Sequence, residues 1–239
     1  MITLYGFGSP NVLKIVIALE EMALPWRFEM VDMFRGEQFT DDFGALTPNR
    51  KVPVIVDEQG VGGRAVTLWE SGAILIYLME KTGRFLPAGV HARLAMLQWL
   101  MWQMGGVGPM FGQLAHFRLY ATDPDHAYAR ARYATEVKRL YDVAERRLGE
   151  TPFLGGEDYG LADMAAWPWF HRWESRGVDI TALPAVRRWI EAIAARPAVQ
   201  RAKAFFDPLA PADIDREMRD NGEGVDRYVQ RGRWSRPEL

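Results

Sequence analysis

Proline 53 is the tightest local constraint on this chain. It stands at the head of an apolar, β-branched run, Val52-Pro53-Val54-Ile55-Val56, preceded by Lys51 and closed by Asp57. Proline has no backbone N–H to give a ladder, so the run must be entered at its first residues or lie at a sheet edge. Two readings of Val52-Pro53 follow. A trans bond makes a plain strand entry, and a cis bond turns the Val52 backbone toward a ligand. In the second, the Val52 N–H and C=O pair with an extended peptide in antiparallel fashion. A dozen residues on, Trp69-Glu70-Ser71-Gly72-Ala73-Ile74-Leu75 enters a helix with an acid and a hydroxyl at its start. Glu70 and Ser71 have a structural explanation as a capping pair, because carboxylates are favoured in a first helical turn. They also suit a free amino-acid terminus: Glu70 for its ammonium, and the Ser71 hydroxyl and helix-start N–H groups for its carboxylate. Together the segments predict a pocket for a small zwitterionic peptide.

The chain contains no cysteine. Disulfide scaffolds, zinc–thiolate sites and a protein-borne CxxC pair are therefore excluded, and any thiol chemistry must use a thiol carried in by a ligand. Its 239 residues suffice for one large or two small domains, and a formal charge of −2 gives no pull toward nucleic acid or anionic membrane. No apolar run reaches membrane-spanning length, and the start lacks a basic, signal-like segment, so a cytoplasmic protein is expected. His91, His116, His126 and His171 show no metal-binding spacing, and no GxGxxG follows a strand.

Four units are expected. Residues 1–82 read as a small α/β unit: a strand over Ile2–Tyr5, a helix opened by Ser9-Pro10-Asn11, strands over Trp26–Val31, Val52–Val56 and Ala65–Leu68, and a helix from Glu70 to Lys81 stopped by Gly83. The first helix has Val12, Ile15, Val16 and Leu19 as its apolar face. Residues 33–48 read as loop with a short helix. Residues 83–90 form a linker. Residues 91–207 read as all-helical: His91–Met104 with an apolar stripe at Leu94, Leu97, Met101 and Met104, a kink at Gly105-Gly106-Val107-Gly108-Pro109, then helices over Ala127–Leu148, Leu161–Ser175 and Pro184–Ala195. Gly160 and Asp163 resemble a capping box. Residues 208–239 form a polar tail, wrapping the surface or disordered.

Ser9 and Asn11 bracket the start of the first helix. Ser9 is explained as an N-cap worth about 1 kcal/mol. The same position lets a ligand thiolate sit at the positive helix end, with hydroxyl and amide donors lowering its pKa from about 8.5. Gln38, Arg50, Lys51 and Arg132 are further candidates for ligand carboxylates. The many tryptophans read as core or cleft wall.

These segments resemble a known family. Ser9-Pro10-Asn11, Pro48-Asn49-Arg50-Lys51-Val52-Pro53, Glu70-Ser71-Gly72-Ala73-Ile74, Leu97-Gln98-Trp99 with Gly105-Gly106-Val107-Gly108-Pro109-Met110, and Leu154-Gly155-Gly156 leading to Ala162-Asp163 are similar to the cytosolic glutathione transferases. They are nearest in shape to the bacterial nu class, which includes glutathione-dependent disulfide-bond reductases. The resemblance spans about residues 1–206. It implies a thioredoxin-like N-terminal domain (α/β) with an all-α C-terminal domain, and a cis Val52-Pro53 bond. It implies that Glu70 and Ser71 hold the γ-glutamyl end of glutathione, that Val52 pairs its cysteinyl part, and that Asn11 faces the sulfur. Gln38, Lys51 and Arg132 would lie near the rest of the ligand or a second ligand molecule. One or two glutathiones, or the disulfide form, are implied per subunit of a homodimer. Two departures stand out: Ser9 where the pattern usually has threonine, and Gly160 where serine or threonine is frequent. The expected function is reduction of small-molecule disulfides with glutathione as the reactive thiol. The alternatives are conjugation or thiolytic ether cleavage of aromatic electrophiles, and a non-catalytic glutathione-binding module.

Overall fold

The computed structural model describes residues 1–121, 124–209 and 222–230. Strand β1 (Ile2–Gly6), helix α1 (Pro10–Glu21) and strand β2 (Trp26–Met30) form a parallel βαβ unit. A 3₁₀ turn and the short helix α2 (Asp41–Leu46) lead to β3 (Val54–Asp57), β4 (Val66–Trp69) and α3 (Ser71–Thr82). The strand order is β2-β1-β3-β4, with β3 antiparallel to both β1 and β4. This is the small mixed sheet of a thioredoxin-like domain. Strand β3 begins at Val54 rather than Val52, because Pro53 has no N–H for the ladder. Gly83 ends α3 at φ 67°, its N–H bonded to the Met79 carbonyl, as expected of a glycine that alone adopts this conformation without cost.

Helix α1 departs from the expected one-sided pattern. Every residue from Val12 to Leu19 is buried, Lys14 included. The helix is apolar all round because it is covered by the sheet and α3 on one side and by the helical domain on the other. Each large aliphatic buried this way contributes roughly 1.5–3 kcal/mol. Ion pairs finish the seam: Arg196 reaches both oxygens of Glu21, and Arg201 bonds Glu20 at 2.8 Å.

The second domain is helical: α4 (Val90–Trp102), α5 (Gly108–Ala115), α6 (Ala127–Glu150), α7 (Leu161–Phe170), α8 (Pro184–Ala194) and α9 (Pro197–Phe206). The glycine-rich segment does not break the helix. It widens it into an i→i+5 turn over Gln103–Val107, running directly into α5 with Pro109 in the first turn. Half of the stripe expected on α4 faces outward, while Leu97 and Met104 pack on the core. Met96 and Leu100 are buried, whereas Leu94 and Met101 are 57% and 50% exposed. Helix α7 ends at Phe170, short of the expected Ser175. The tail holds a further helix, α10 (Gly222–Val229), whose Val225 and Tyr228 pack on Phe7 and Phe34 of the N-terminal domain. The rest of the tail lies outside the described residues.

Buried Asp163 organises the helical core. Its carboxylate accepts from the backbone N–H groups of Leu154 (2.9 Å) and Gly160 (3.0 Å) and from the Trp189 indole (2.8 Å). Gly160 has no side chain, so only Asp163's half of a capping box exists. Removing the carboxylate orphans three buried donors. Asp163→Ala is therefore expected to cost about 3 kcal/mol or more in urea unfolding. Burial pushes this carboxyl up to about 6 from its usual 3.8. Between those pH values the folded chain binds the proton more tightly than the unfolded chain, so the group's contribution falls as pH rises. The deficit of Asp163→Ala should thus be larger at pH 4 than at pH 7.

Candidate active site

A cavity of about 560 Å³ lies between the two domains, within the usual range of small-molecule sites. The N-terminal domain contributes Ser9, Pro10, Asn11, Lys51 and Val52 to its lining. Ser9 caps α1: its hydroxyl accepts from the Val12 N–H at 3.4 Å, with Pro10 in the first turn. The start of α1 therefore opens on the cavity, presenting a positive helix end. The Val52-Pro53 peptide bond is cis, and Pro53 itself is buried. Lys51 stands exposed at the rim, and desolvation lowers its pKa from the usual 10.5.

Glu70 and Ser71 sit apart from the lining, at the turn from β4 into α3. Glu70 is not in the helix. It precedes it, with φ 70° and ψ 109°, a conformation costly for a non-glycine residue. That backbone leaves its carboxylate exposed, accepting from the Asn49 amide at 3.4 Å. Ser71 is 4% exposed, and its hydroxyl donates to the Met104 sulfur at 3.8 Å. Met104 comes from the widened turn after α4, so the helical domain touches the base of this turn. A Cβ on Gly72 would approach Met104 side-chain atoms at 3.1–3.4 Å, and glycine is what permits the contact.

Gln38 and Arg132 also lie outside the lining. Gln38 is fully buried, its amide donating to the carbonyls of Met33 (3.3 Å) and Arg227 (3.0 Å). Helix α10 covers it, a contact across 189 positions that local sequence does not announce. Arg132 lies exposed on α6, 3.9 Å from Glu136, and does not line the cavity. Arg50 braces a loop, donating to the Gln38 and Thr40 carbonyls.

In their place the structure brings residues that sequence reasoning passed over. Arg118, Arg172 and Arg176 line the cavity from the helical side, and α10 contributes Tyr228; Trp169 joins them as the cleft wall that the sequence suggested. Lys14 is the other omission. A lysine inside the apolar run Val12-Leu13-Lys14-Ile15-Val16 was the available signal. Its ammonium is wholly buried, donating to Gln103 Oε1 at 2.8 Å and to the Met104 sulfur at 3.7 Å. Desolvation pulls its pKa down to about 7, opposed in part by the Glu70 charge.

Residues 8–81 match the glutathione S-transferase N-terminal domain and residues 125–192 the glutathione S-transferase C-terminal domain. The chain belongs to the glutathione S-transferase family. It is 47% identical over 203 residues to the disulfide-bond oxidoreductase YfcG of Escherichia coli (strain K12), covering 84% of this chain and 94% of that protein. Among solved structures, a glutathione transferase family member from Pseudomonas fluorescens pf-5, with two glutathione bound, superposes with a TM-score of 0.79 at 40% identity over 84% of this chain and 91% of its own. A glutathione transferase from Pseudomonas putida, with one glutathione disulfide bound per subunit, gives 0.80 at 39% identity over 84% and 90%. Neither family match reaches helix α10, so this glutathione S-transferase carries a cavity wall beyond the two matched domains.

The low Lys14 pKa makes a stability prediction. Between about pH 7 and 10.5 the unfolded chain holds the proton that the folded chain has lost, so stability rises with pH across that window. Lys14→Met abolishes this slope. Urea unfolding at pH 7, 8 and 9 should show the wild type gaining on the variant as pH rises.

Proposed function

We propose that this chain is a glutathione-dependent disulfide reductase in which bound glutathione supplies the reactive thiol. One observation carries the reading: the start of α1, with Ser9 and Asn11, opens on an interdomain cavity in a chain without any cysteine. A thiolate at that helix end is stabilised by the helix dipole and by the hydroxyl and amide beside it. Glu70 and Ser71 are assigned to the γ-glutamyl ammonium and carboxylate, Val52 to the cysteinyl backbone, and Lys51 to a ligand carboxylate at the rim. Gln38 and Arg132 lie outside the cavity lining, and no ligand contact is assigned to them. The enzyme orients the thiolate and keeps it charged for attack on a disulfide sulfur, and contributes no nucleophile of its own. The names and bound ligands of the relatives support the same chemistry here.

A second reading keeps the thiol and changes its target. Phe7, Tyr120, Trp169 and Tyr228 line the cavity and suit an aromatic electrophile for conjugation or thiolytic cleavage. Turnover of a model disulfide against an aromatic electrophile, each with glutathione, separates the two. The first reading predicts the disulfide as the better substrate, and a rate no higher than buffer would remove it. Asn11→Ala should lower kcat at least tenfold with a smaller change in KM, because its amide keeps the attacking sulfur charged as the thiolate. Glu70→Gln should instead weaken glutathione binding at least tenfold by calorimetry, since one partner of an ion pair is lost.

The working unit is assigned as a homodimer. Val90, Leu94, Leu97 and Met101 follow helical spacing on one face of α4, and Leu86 and Trp69 are exposed apolar residues as well. This misplaced stripe is explained by a second copy covering it. Leu94→Glu with Met101→Glu should convert a dimer to a monomer in sedimentation analysis. A wild-type monomer would refute the assignment.

A further inference from the structure

The interdomain cavity is lined by four cationic side chains and, among the described residues, by no aspartate or glutamate. Lys51 belongs to the N-terminal wall. Arg118, Arg172 and Arg176 belong to the helical wall, the first in the turn after α5 and the others just past the end of α7. Lys51 and Arg118 are exposed to solvent, but the surroundings of Arg172 and Arg176 do not account for their charges. The Arg172 guanidinium makes no hydrogen bond or ion pair with any described residue. It feels attraction from Asp207 and Tyr228, but Asp207 is already held by Lys203 at 3.2 Å, and burial still lowers the Arg172 pKa.

Arg176 is 8% exposed, and its Nε is buried without an acceptor among the described residues. Its Nη1 donates to the Arg172 carbonyl at 3.0 Å, and the guanidinium lies 5.3 Å from the Phe111 ring and 5.8 Å from the Trp169 ring. Those contacts give it a bracing role in the core. They leave the orphaned Nε, and the whole of Arg172, unexplained. Arg118 in turn donates to the Arg176 carbonyl, which ties the three into one wall. Buried cations without carboxylate partners are costly, and an anionic occupant offsets that cost. Arginine's planar fork matches a carboxylate in particular.

We infer that the helical wall, through Arg172 and Arg176 with Arg118 beside them, makes this enzyme select disulfides whose departing half carries a carboxylate. The inference rests on the glutathione-dependent reading above and names the substrate class of the same cavity. The thiolate of glutathione, held at the start of α1, attacks the near sulfur of R–S–S–R. The glutathione–sulfur bond forms, the disulfide bond breaks, and the electron pair leaves on the far sulfur as R–S⁻, which takes a proton from water. A second glutathione thiolate attacks the mixed disulfide and expels the other R–S⁻. Two glutathiones are oxidised to their disulfide, and one R–S–S–R is reduced to two R–SH. The N-terminal wall holds the attacking thiol, and the arginines across the cavity hold the carboxylate of the departing half.

The test uses three symmetrical disulfides of similar size: 3,3′-dithiodipropionate, bis(2-hydroxyethyl) disulfide and cystamine, which are dianionic, neutral and dicationic near neutral pH. With the full-length enzyme and glutathione, kcat/KM for the dianion should exceed that for the neutral disulfide about tenfold or more, the effect of one charge-assisted hydrogen bond. The dication should be poorer still. Arg172→Ala should lower the dianion-to-neutral ratio about tenfold, and Arg172→Lys should retain part of it. Arg139→Ala, on the solvent face of α6, should leave the ratio as it was. Because Arg176→Ala removes a core brace and can unfold the domain, the Arg172 variants carry the decision. Turnover of all three disulfides at similar kcat/KM, or a ratio indifferent to Arg172→Ala, overturns the inference and leaves disulfide reduction standing. Turnover of none of the three overturns the glutathione-dependent reading, and the inference with it.

Discussion

The burial of α1 on every side is the constraint on which the rest of the structure depends. A helix that is apolar all round cannot lie on the surface of either domain, so the sheet and the helical bundle must close on it from opposite sides. Once they do, its amino end emerges between them, and the mouth of the cavity falls there. The same closure sets Glu21 against Arg196 and Glu20 against Arg201, placing the ionic contacts at the far end of the helix. The packing of one helix thereby positions Ser9 and Asn11.

Lys14 shows how the same burial reaches the base of the pocket. Its buried ammonium holds Gln103 and Met104 of the widened turn, and Met104 in turn receives the Ser71 hydroxyl. The turn that follows α4 is thus bonded to both α1 and α3. An extra residue in a helical turn is a recurrent way to aim side chains at a functional site. Here it puts a thioether against the first turn of α3, where Gly72 leaves room for it. Interdomain geometry and site geometry are one arrangement.

Much of this was legible in the sequence, and what was not has physical causes. Strand alternation, the Ser9-Pro10 cap and the Gly83 stop are local signals, and the N-terminal domain followed from them. The face of α4 was misread because apolar periodicity reports burial without naming the partner. Leu94 and Met101 face outward, whereas Gln103, a polar residue, is buried because Lys14 needs an acceptor. Gln38 lies away from the cavity lining because a helix 189 positions away covers it. Arg132 is expected from the resemblance and from its place on a long helix, whereas Arg118, Arg172 and Arg176 carry no such signal. The three that line the cavity sit at helix ends and turns, where facing is set by how α5 and α7 end rather than by any repeat.

In the proposed function the amino end of α1 activates a thiol the chain does not itself possess. The most direct measurement is the ultraviolet titration of thiolate in the complex with glutathione, read against the free protein, which the absence of cysteine makes free of any protein thiolate. The account predicts that the bound thiol titrates clearly below the free value of about 8.5. A bound thiol titrating at or above that value would contradict it.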